Sequence, residues 1–361
     1  MPGRRQPPAA VDTTLCRRCQ ANAPTITVRT EPLCSACFAK YVSTKIIKRM
    51  ESFRVRHAEA GKERLLLLPL SLGPCSMVLL HILSQHLSVQ AEKSGRTGYR
   101  LLALFIDDGA REGSAALFER VKERYPMHTY FNLPLSDALS LEGVPELLSP
   151  LNQATPPNNP PSTTTDPLST LLSTLPSATS RADLLHILLR KLVVHAAQHH
   201  ACEAVLWADS TTRLAERTLA ETAKGRGFTL PSSIGDGEAP HGLPFYYPMR
   251  DLLRKEIISF TSLVEPGLDE MILRDVPKAA VSTKNTTIDD LMKQYFASVE
   301  REFPSIVANV VRTTGKLKVP ALREEVEEHC ELCDAPLRGH APERSRLCYG
   351  CIRILRQAPA G

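Results

Sequence analysis

Arg64-Leu65-Leu66-Leu67-Leu68-Pro69-Leu70 runs without a break into Ser71-Leu72-Gly73-Pro74-Cys75-Ser76, and a helix-like segment over 77–87 follows at once. A short continuous apolar run bounded by turn residues fits a strand buried on both faces, the pattern of a parallel sheet. The unit reads strand, turn, helix, and it recurs downstream. A second strand is predicted at 99–106, ending in Asp107-Asp108-Gly109, with a helix over about 113–124 and a third strand at 127–131. A long helix from 181 to about 200 carries Leu185, Leu188, Leu189, Leu192 and Ala196 as one apolar stripe. A fourth strand, 203–207, then leads through Ala208-Asp209-Ser210-Thr211-Thr212 into a helix at about 212–224. Alternating strands and helices predict a doubly wound α/β domain, whose ligands bind at the carboxyl ends of the strands. Asp107, Asp108 and Asp209 fall there, either as remnants of a nucleotide site or as caps of the helices that follow.

Two cysteine quartets bracket this domain. Cys16-Arg17-Arg18-Cys19 with Cys34-Ser35-Ala36-Cys37, and Cys330-Glu331-Leu332-Cys333 with Cys348-Tyr349-Gly350-Cys351, share one spacing, C-x2-C, fourteen residues, C-x2-C. Tetrahedral Zn²⁺ takes four thiolates, and two knuckles joined by a longer loop supply them. With no secretory signal ahead of the first quartet, a reducing compartment is expected, where disulfides are disfavoured. Two structural zinc sites are therefore predicted. Cys202 lies alone between helix and strand, and reads as a small buried apolar residue.

A chain of 361 residues, 43% of them hydrophobic, can fill one large core or two ordinary domains. Its formal net charge of +5 permits an anionic partner without demanding one. No apolar run reaches membrane-spanning length, and Pro2, Pro7 and Pro8 oppose an amphipathic presequence helix, so the cytoplasm is the expected address. The expected plan is a disordered lead over 1–14, a zinc module at 15–40, an α/β domain at 41–320 and a second zinc module at 321–361. Pro, Ser, Thr and Asn dominate 149–180, around Pro156-Pro157-Asn158-Asn159-Pro160-Pro161, which predicts a mobile insertion. Helices are expected to fill most of 250–315, with a capping box at Thr287-Ile288-Asp289-Asp290.

The basic strand followed by Ser-Leu-Gly-Pro-Cys-Ser resembles the S-G-G-x-D-S loop of the PP-loop ATP pyrophosphatases, which adenylate a carbonyl oxygen. Ser71, Gly73 and Ser76 match, while Leu72 and Cys75 replace a glycine and the acid that helps hold Mg²⁺. The resemblance thus implies a degenerate phosphate loop and makes ATP an unlikely cofactor. Segment 203–216 is similar to the T-G-H-N-x-D-D-x-A-E-T region of tRNA-thiolating members at Ala215 and Glu216, but lacks the glycine, histidine and aspartate pair. Pro248-Met249-Arg250-Asp251-Leu252-Leu253-Arg254-Lys255-Glu256-Ile257 is similar to P-L-R-x-x-x-x-K-E-I, and Phe303-Pro304-Ser305-Ile306 to F-P-S-I. The sulfur-handling C-x-x-C ahead of the central helix, and the cysteine after K-E-I, have no counterpart. Paired zinc modules, the degraded loop, and Cys34-Ser35-Ala36-Cys37-Phe38 with Tyr41-Val42-Ser43-Thr44-Lys45 together resemble the cytoplasmic tRNA 2-thiolation protein 2 family. That family resemblance implies a non-catalytic subunit, heterodimeric with a catalytic PP-loop thiolase. The complex would 2-thiolate the wobble uridine, as 5-methoxycarbonylmethyl-2-thiouridine, in tRNAs for Lys, Glu and Gln. Sulfur would come from a thiocarboxylated ubiquitin-like carrier, and a part in conjugating that carrier to proteins stays open. The alternatives are a tRNA-adenylating enzyme in its own right and a zinc-ribbon protein adaptor.

Between 38 and 64, eight cations, among them Lys40, Lys45, Lys48, Arg49, Arg54 and Arg56, face only Glu51, Glu59 and Glu63. Such a run is either a solvated helix face or a phosphate-contacting one, and beside a zinc knuckle in a tRNA-handling chain these six become the expected tRNA contacts. His195, His199 and His200 resemble a metal cluster at first sight, but are read as surface positions of the helix.

Overall fold

The structure, a computed structural model, describes residues 14–57, 64–109, 111–153, 166–237, 239, 242–264, 267–273, 286–317, 328–337 and 339–355. Five parallel strands form its centre: β3 (Leu65–Leu70), β4 (Arg100–Asp107), β5 (Thr129–Pro134), β6 (Ala204–Leu206) and β7 (Phe245–Tyr246), in the order β5-β4-β3-β6-β7. A separate antiparallel pair, β1 (Ile26–Val28) and β2 (Glu31–Leu33), precedes them. The leucine run splits cleanly between two cores. Leu66, Leu68 and Leu70 enter one hydrophobic cluster with Leu101, Ala103 and Phe105, whereas Leu67 joins Leu102, Leu104 and Val205 in another on the opposite face. Burial on both faces is what removed polar residues from the strand. Pro69 is tolerated in a central strand because β3 pairs with β6 only through Leu66 and Leu67.

Onto the first face pack α1 (Ser35–Arg49), α2 (Pro74–Ser94), α3 (Ser114–Arg124) and α9 (Arg254–Thr261). The second face carries α6 (Ala178–His199), α7 (Thr211–Ala223), α10 (Ile288–Glu302) and α11 (Pro304–Thr314), with α8 (Leu230–Ile234) alongside. A third cluster joins α4 (Val144–Gln153), α5 (Pro167–Ser173) and α6 to the C-terminal cysteine module and its helix α12 (Tyr349–Leu355).

Several expectations need correction. The insertion predicted over 149–180 is narrower: α4 runs to Gln153, and α5 is capped by Asp166 and buries Leu168 and Leu171, with Leu175 buried after it. These leucines recur at helical spacing, which the Pro- and Thr-rich composition around them masked. The Pro-Asn centre of that insertion and the expected disordered lead, apart from Thr14, lie outside the described residues. The basic stretch that begins at 38 is helical only as far as Arg49 and gives way to two short 3₁₀ turns. At Gly98 a Cβ would lie 2.2 Å from the Phe53 carbonyl oxygen, so those turns press backbone against backbone. On α6 the stripe is broader and rotated: Leu184, Ile187 and Val193 are buried with Leu188, Leu192 and Ala196, whereas Leu185 and Leu189 are half-buried. The helix is covered by the sheet on one side and by the C-terminal module on another. The edge strand β7 is too short to leave a periodic signal.

Candidate metal centres and nucleic-acid interface

Each cysteine quartet closes into one cluster, with its four sulfurs all within 4.8 Å of one another. A tetrahedral ion about 2.3 Å from each sulfur would set them about 3.8 Å apart; Cys19 and Cys34 Sγ are 3.8 Å apart, and Cys333 and Cys348 Sγ 3.7 Å. All ten cysteines are free thiols. The two centres are built alike. In the first knuckle the Gln20 N–H donates to the Cys16 carbonyl and Gln20 takes φ +50; in the second the Asp334 N–H donates to the Cys330 carbonyl and Asp334 takes φ +60. The third cysteine then opens a helix in both, Cys34 before α1 and Cys348 before α12. Burial pushes the Cys16 thiol up, but backbone N–H groups from Cys19, Cys34 and Arg18 outweigh it and leave it at about 6; Cys34 is lowered chiefly by the Cys37 N–H. Four sulfurs gathered into one cluster, with no open position, suit structural metal rather than catalysis. His195 and His199 are exposed on α6, His200 stacks on Phe131 with centroids 4.2 Å apart, and among the described residues the trio forms no metal group.

The first centre anchors α1, which buries Phe38, Tyr41, Val42 and Ile46 and turns Lys40 and Lys48 outward. Lys45 is half-buried, with its ammonium 5.7 Å from the Tyr41 ring centroid. Arg49 is otherwise engaged: it pairs with Asp251 at 2.7 Å and Asp236 at 3.4 Å, tying α1 to the segment before α9. Arg54 pairs with Glu51 at 2.8 Å on a 3₁₀ turn, and the side chain of Arg56 lies outside the described residues. Lys40 and Lys48 are thus exposed and Lys45 half-buried, whereas Arg49 and Arg54 are each held by a carboxylate. Arg17 and Arg29, exposed around the first knuckle, extend this basic surface; sequence reading confined to the helix passed over them.

The phosphate-type loop closes on itself. Ser71 Oγ accepts the Gly73 N–H at 3.3 Å and lies 3.2 Å from Ser76 Oγ, which also donates to the Gly73 carbonyl at 3.1 Å. Leu72 faces the core. It adopts φ +56, its side chain is fully buried, and its carbonyl accepts the Leu273 N–H at 2.8 Å. Burial pushes the Cys75 thiol up to about 12, which keeps it neutral and unfit as a ligand for a hard cation. Asp107 accepts the Gly109 N–H at 3.0 Å, whereas Asp209 pairs with Arg217 at 2.8 Å. Lys255-Glu256-Ile257 serves the fold: Glu256 caps the Leu253 N–H at 2.8 Å, and Glu300 on α10 bridges the Lys255 N–H and the Thr212 hydroxyl. Cys202 is buried, and burial raises its thiol to about 11.

Sequence reading missed the charged network under the C-terminal module. Asp183 on α6, 1% exposed, takes Arg226, Lys224 at 3.2 Å and Arg353 of α12 at 2.8 Å. Glu221 holds Arg226 at 2.7 Å and Lys224 at 2.8 Å; burial alone would raise its pKa, but these two cations bring it down to about 2.

A family model described as cytoplasmic tRNA 2-thiolation protein 2 matches residues 287–346. A protein of that name from Phaeosphaeria nodorum is 45% identical over 99% of this chain and 98% of its own length, and one from Coccidioides immitis is 34% identical over 94% and 96%. The chain belongs to the cytoplasmic tRNA 2-thiolation protein 2 family. Its structure is similar to that of the U34-tRNA thiolase NcsA from Methanococcus maripaludis, solved with its 4Fe–4S cluster, at a TM-score of 0.59 and 14% identity over 94% of this chain and 95% of that one. At that identity the likeness shows the fold alone, the doubly wound PP-loop architecture expected from the strand-turn-helix unit. Family membership and fold thus agree, while the phosphate-type loop carries Leu72 and Cys75 where the S-G-G-x-D-S pattern has a glycine and an aspartate.

Proposed function

We propose that this chain is the non-catalytic subunit of a cytoplasmic tRNA thiolase. It would pair with a catalytic PP-loop subunit for 2-thiolation of the wobble uridine in tRNAs for Lys, Glu and Gln, with sulfur from a thiocarboxylated ubiquitin-like carrier. The observation that carries this reading is a PP-loop fold in a cytoplasmic tRNA 2-thiolation protein 2 family chain whose loop bonds to itself and carries a neutral thiol where an acid would hold Mg²⁺. A chain that cannot hold Mg-ATP there, and has no cysteine after Lys255-Glu256-Ile257 until the second quartet, must contribute through another chain. Its own contribution is tRNA contact through Lys40, Lys45 and Lys48, with two zinc ions fixing the modules that carry such surfaces. The test is to delete the gene and measure 2-thiouridine by mass spectrometry of bulk tRNA. Loss of the nucleoside, with the catalytic subunit still folded, supports the reading, and normal levels sink it. The isolated chain should contain two zinc ions and release no pyrophosphate from ATP and tRNA; robust release would instead make it an adenylating enzyme.

A further inference from the structure

Between α6, α7, α8 and the second cysteine module, which contributes Cys333, Asp334 and Ala335 to the wall, lies a cavity of about 150 Å³. His186 and Arg190 stand four residues apart on α6, and Arg213 and Arg217 four apart on α7, so each pair lines the cavity from one face of its helix. Trp207, just past β6, and Ser233 on α8 also contribute to the wall.

Most charges around the cavity are neutralised in place. Arg217 has Asp209, Arg213 has Glu216 at 3.1 Å, and Lys191 has Asp334 at 2.8 Å. Asp183, Glu221 and Asp289 are taken up by Lys224, with Arg226 and Arg353 sharing the first two. Arg190 differs. Among the described residues no carboxylate pairs with it, and its guanidinium lies 4.7 Å from the Phe245 ring centroid. Burial holds it below the ordinary arginine value. His186, exposed to solvent, lines the cavity one turn before Arg190. Three further donors on lining residues, Trp207 Nε1, Arg226 Nη1 and Ser233 Oγ, are buried without a hydrogen-bond partner. Orphaned donors of this kind are uncommon in folded proteins, and several around one cavity call for acceptor atoms inside it.

We propose that this cavity binds a small phosphate-class oxyanion, with Arg190 as its principal counter-charge, Arg213 and Arg217 flanking it, and His186, Trp207 and Ser233 donating to its oxygens. A cavity of this volume admits a molecule the size of benzene. One tetrahedral oxyanion fits, whereas a whole nucleotide needs a pocket of about 300 Å³ or more. The site is separate from the basic face of α1 and stands whether or not that face contacts tRNA.

Calorimetric titration of the full chain, zinc-loaded, with inorganic phosphate should show one ion bound per chain and a phosphate-dependent rise in melting temperature. Arg190→Met should weaken binding at least about tenfold, the size expected for a charge-assisted contact, and Trp207→Phe roughly threefold. Arg312→Met, on an exposed position of α11, should bind as the unaltered chain does. AMP forms the second arm: weaker binding than inorganic phosphate supports a small-ion site, and tighter binding overturns it in favour of a nucleotide. Absence of binding at millimolar phosphate, or equal affinity in the unaltered chain and Arg190→Met, overturns the proposal. If Arg190→Met does not fold, Trp207→Phe combined with Ser233→Ala decides the matter, and unchanged affinity in that variant counts against the site.

Discussion

Leu72 shows how one residue both preserves and disables a loop. A non-glycine side chain at φ +56 costs about 1–2 kcal/mol, but deleting a fully buried leucine side chain costs about 2–5 kcal/mol. Packing wins, so Leu72→Gly should destabilise the chain by roughly 1–3 kcal/mol, read as a lower urea midpoint at unchanged slope; a higher midpoint would mean that strain dominates. The sequence revealed that Leu72 and Cys75 break the phosphate pattern, but not that the leucine faces the core, because residue identity does not give the sign of φ. A second residue-scale effect is pH sensitivity. His81 and His128, both buried, bond to the Tyr125 hydroxyl at 2.9 Å and the Ser84 hydroxyl at 2.7 Å, and burial lowers each from 6.5 to about 4. Folded-state values below the unfolded one mean that the unfolded chain gains protons first as pH falls. Stability should therefore drop between about pH 6.5 and 4, and a melting-temperature profile of the double variant His81→Phe, His128→Asn should be flatter across that window.

At the scale of elements, α1 was legible where chemistry is local and illegible where it is tertiary. Spacing marked Cys34 and Cys37 as ligands, and the helix followed; nothing local showed that Arg49 would be held by Asp251, some two hundred residues later. Of the six expected tRNA contacts, Arg49 and Arg54 are held by carboxylates, whereas Lys40 and Lys48 stand exposed. Reversing Lys40 and Lys48 to Glu should weaken tRNA binding across sequences and reduce the slope of log K against log salt by about 0.7–0.9 for each phosphate that is no longer neutralised, with no change in melting. Arg49→Ala should instead cost up to about 1 kcal/mol of stability, as expected for a largely exposed pair, and leave the salt slope alone. Filter binding over a salt series with a parallel thermal melt separates the two, and an unaltered slope in the lysine variant would return α1 to a solvated face. Asp183 illustrates the same limit on α6. In the sequence it is one polar residue ahead of a leucine stripe, and its role as the shared carboxylate of Lys224, Arg226 and Arg353 depends on partners 41 to 170 residues away.

For the whole molecule, the central question is what a thiolase-like fold does after its loop has closed. The alternation of strands and helices, both cysteine quartets and the leucine strand buried on two faces were readable from pattern and spacing, whereas the order of the strands was not. What periodicity cannot show is which apolar residues remain exposed after folding. On α10 and α11 these are Leu291, Tyr295 and Ile306, with Phe303 between the helices at 55% exposure, all on the elements that also cover the second face of the sheet. Phe296, Val307 and Val311 already supply the inward contacts of these helices, so core packing does not account for the outer group. Exposed aromatic residues on one pair of helices suit a protein partner, since such side chains bury large area at low entropic cost. If the chain works only through a catalytic PP-loop subunit, this face is the natural contact. Tyr295→Asp with Phe303→Asp should then reduce recovery of the catalytic subunit in a pull-down and lower 2-thiouridine in cells, while zinc content and melting temperature stay as in the unaltered chain. Full recovery of the catalytic subunit by this double variant would move the contact elsewhere on the molecule, and loss of zinc or of folding would show that the two aromatics serve the fold instead.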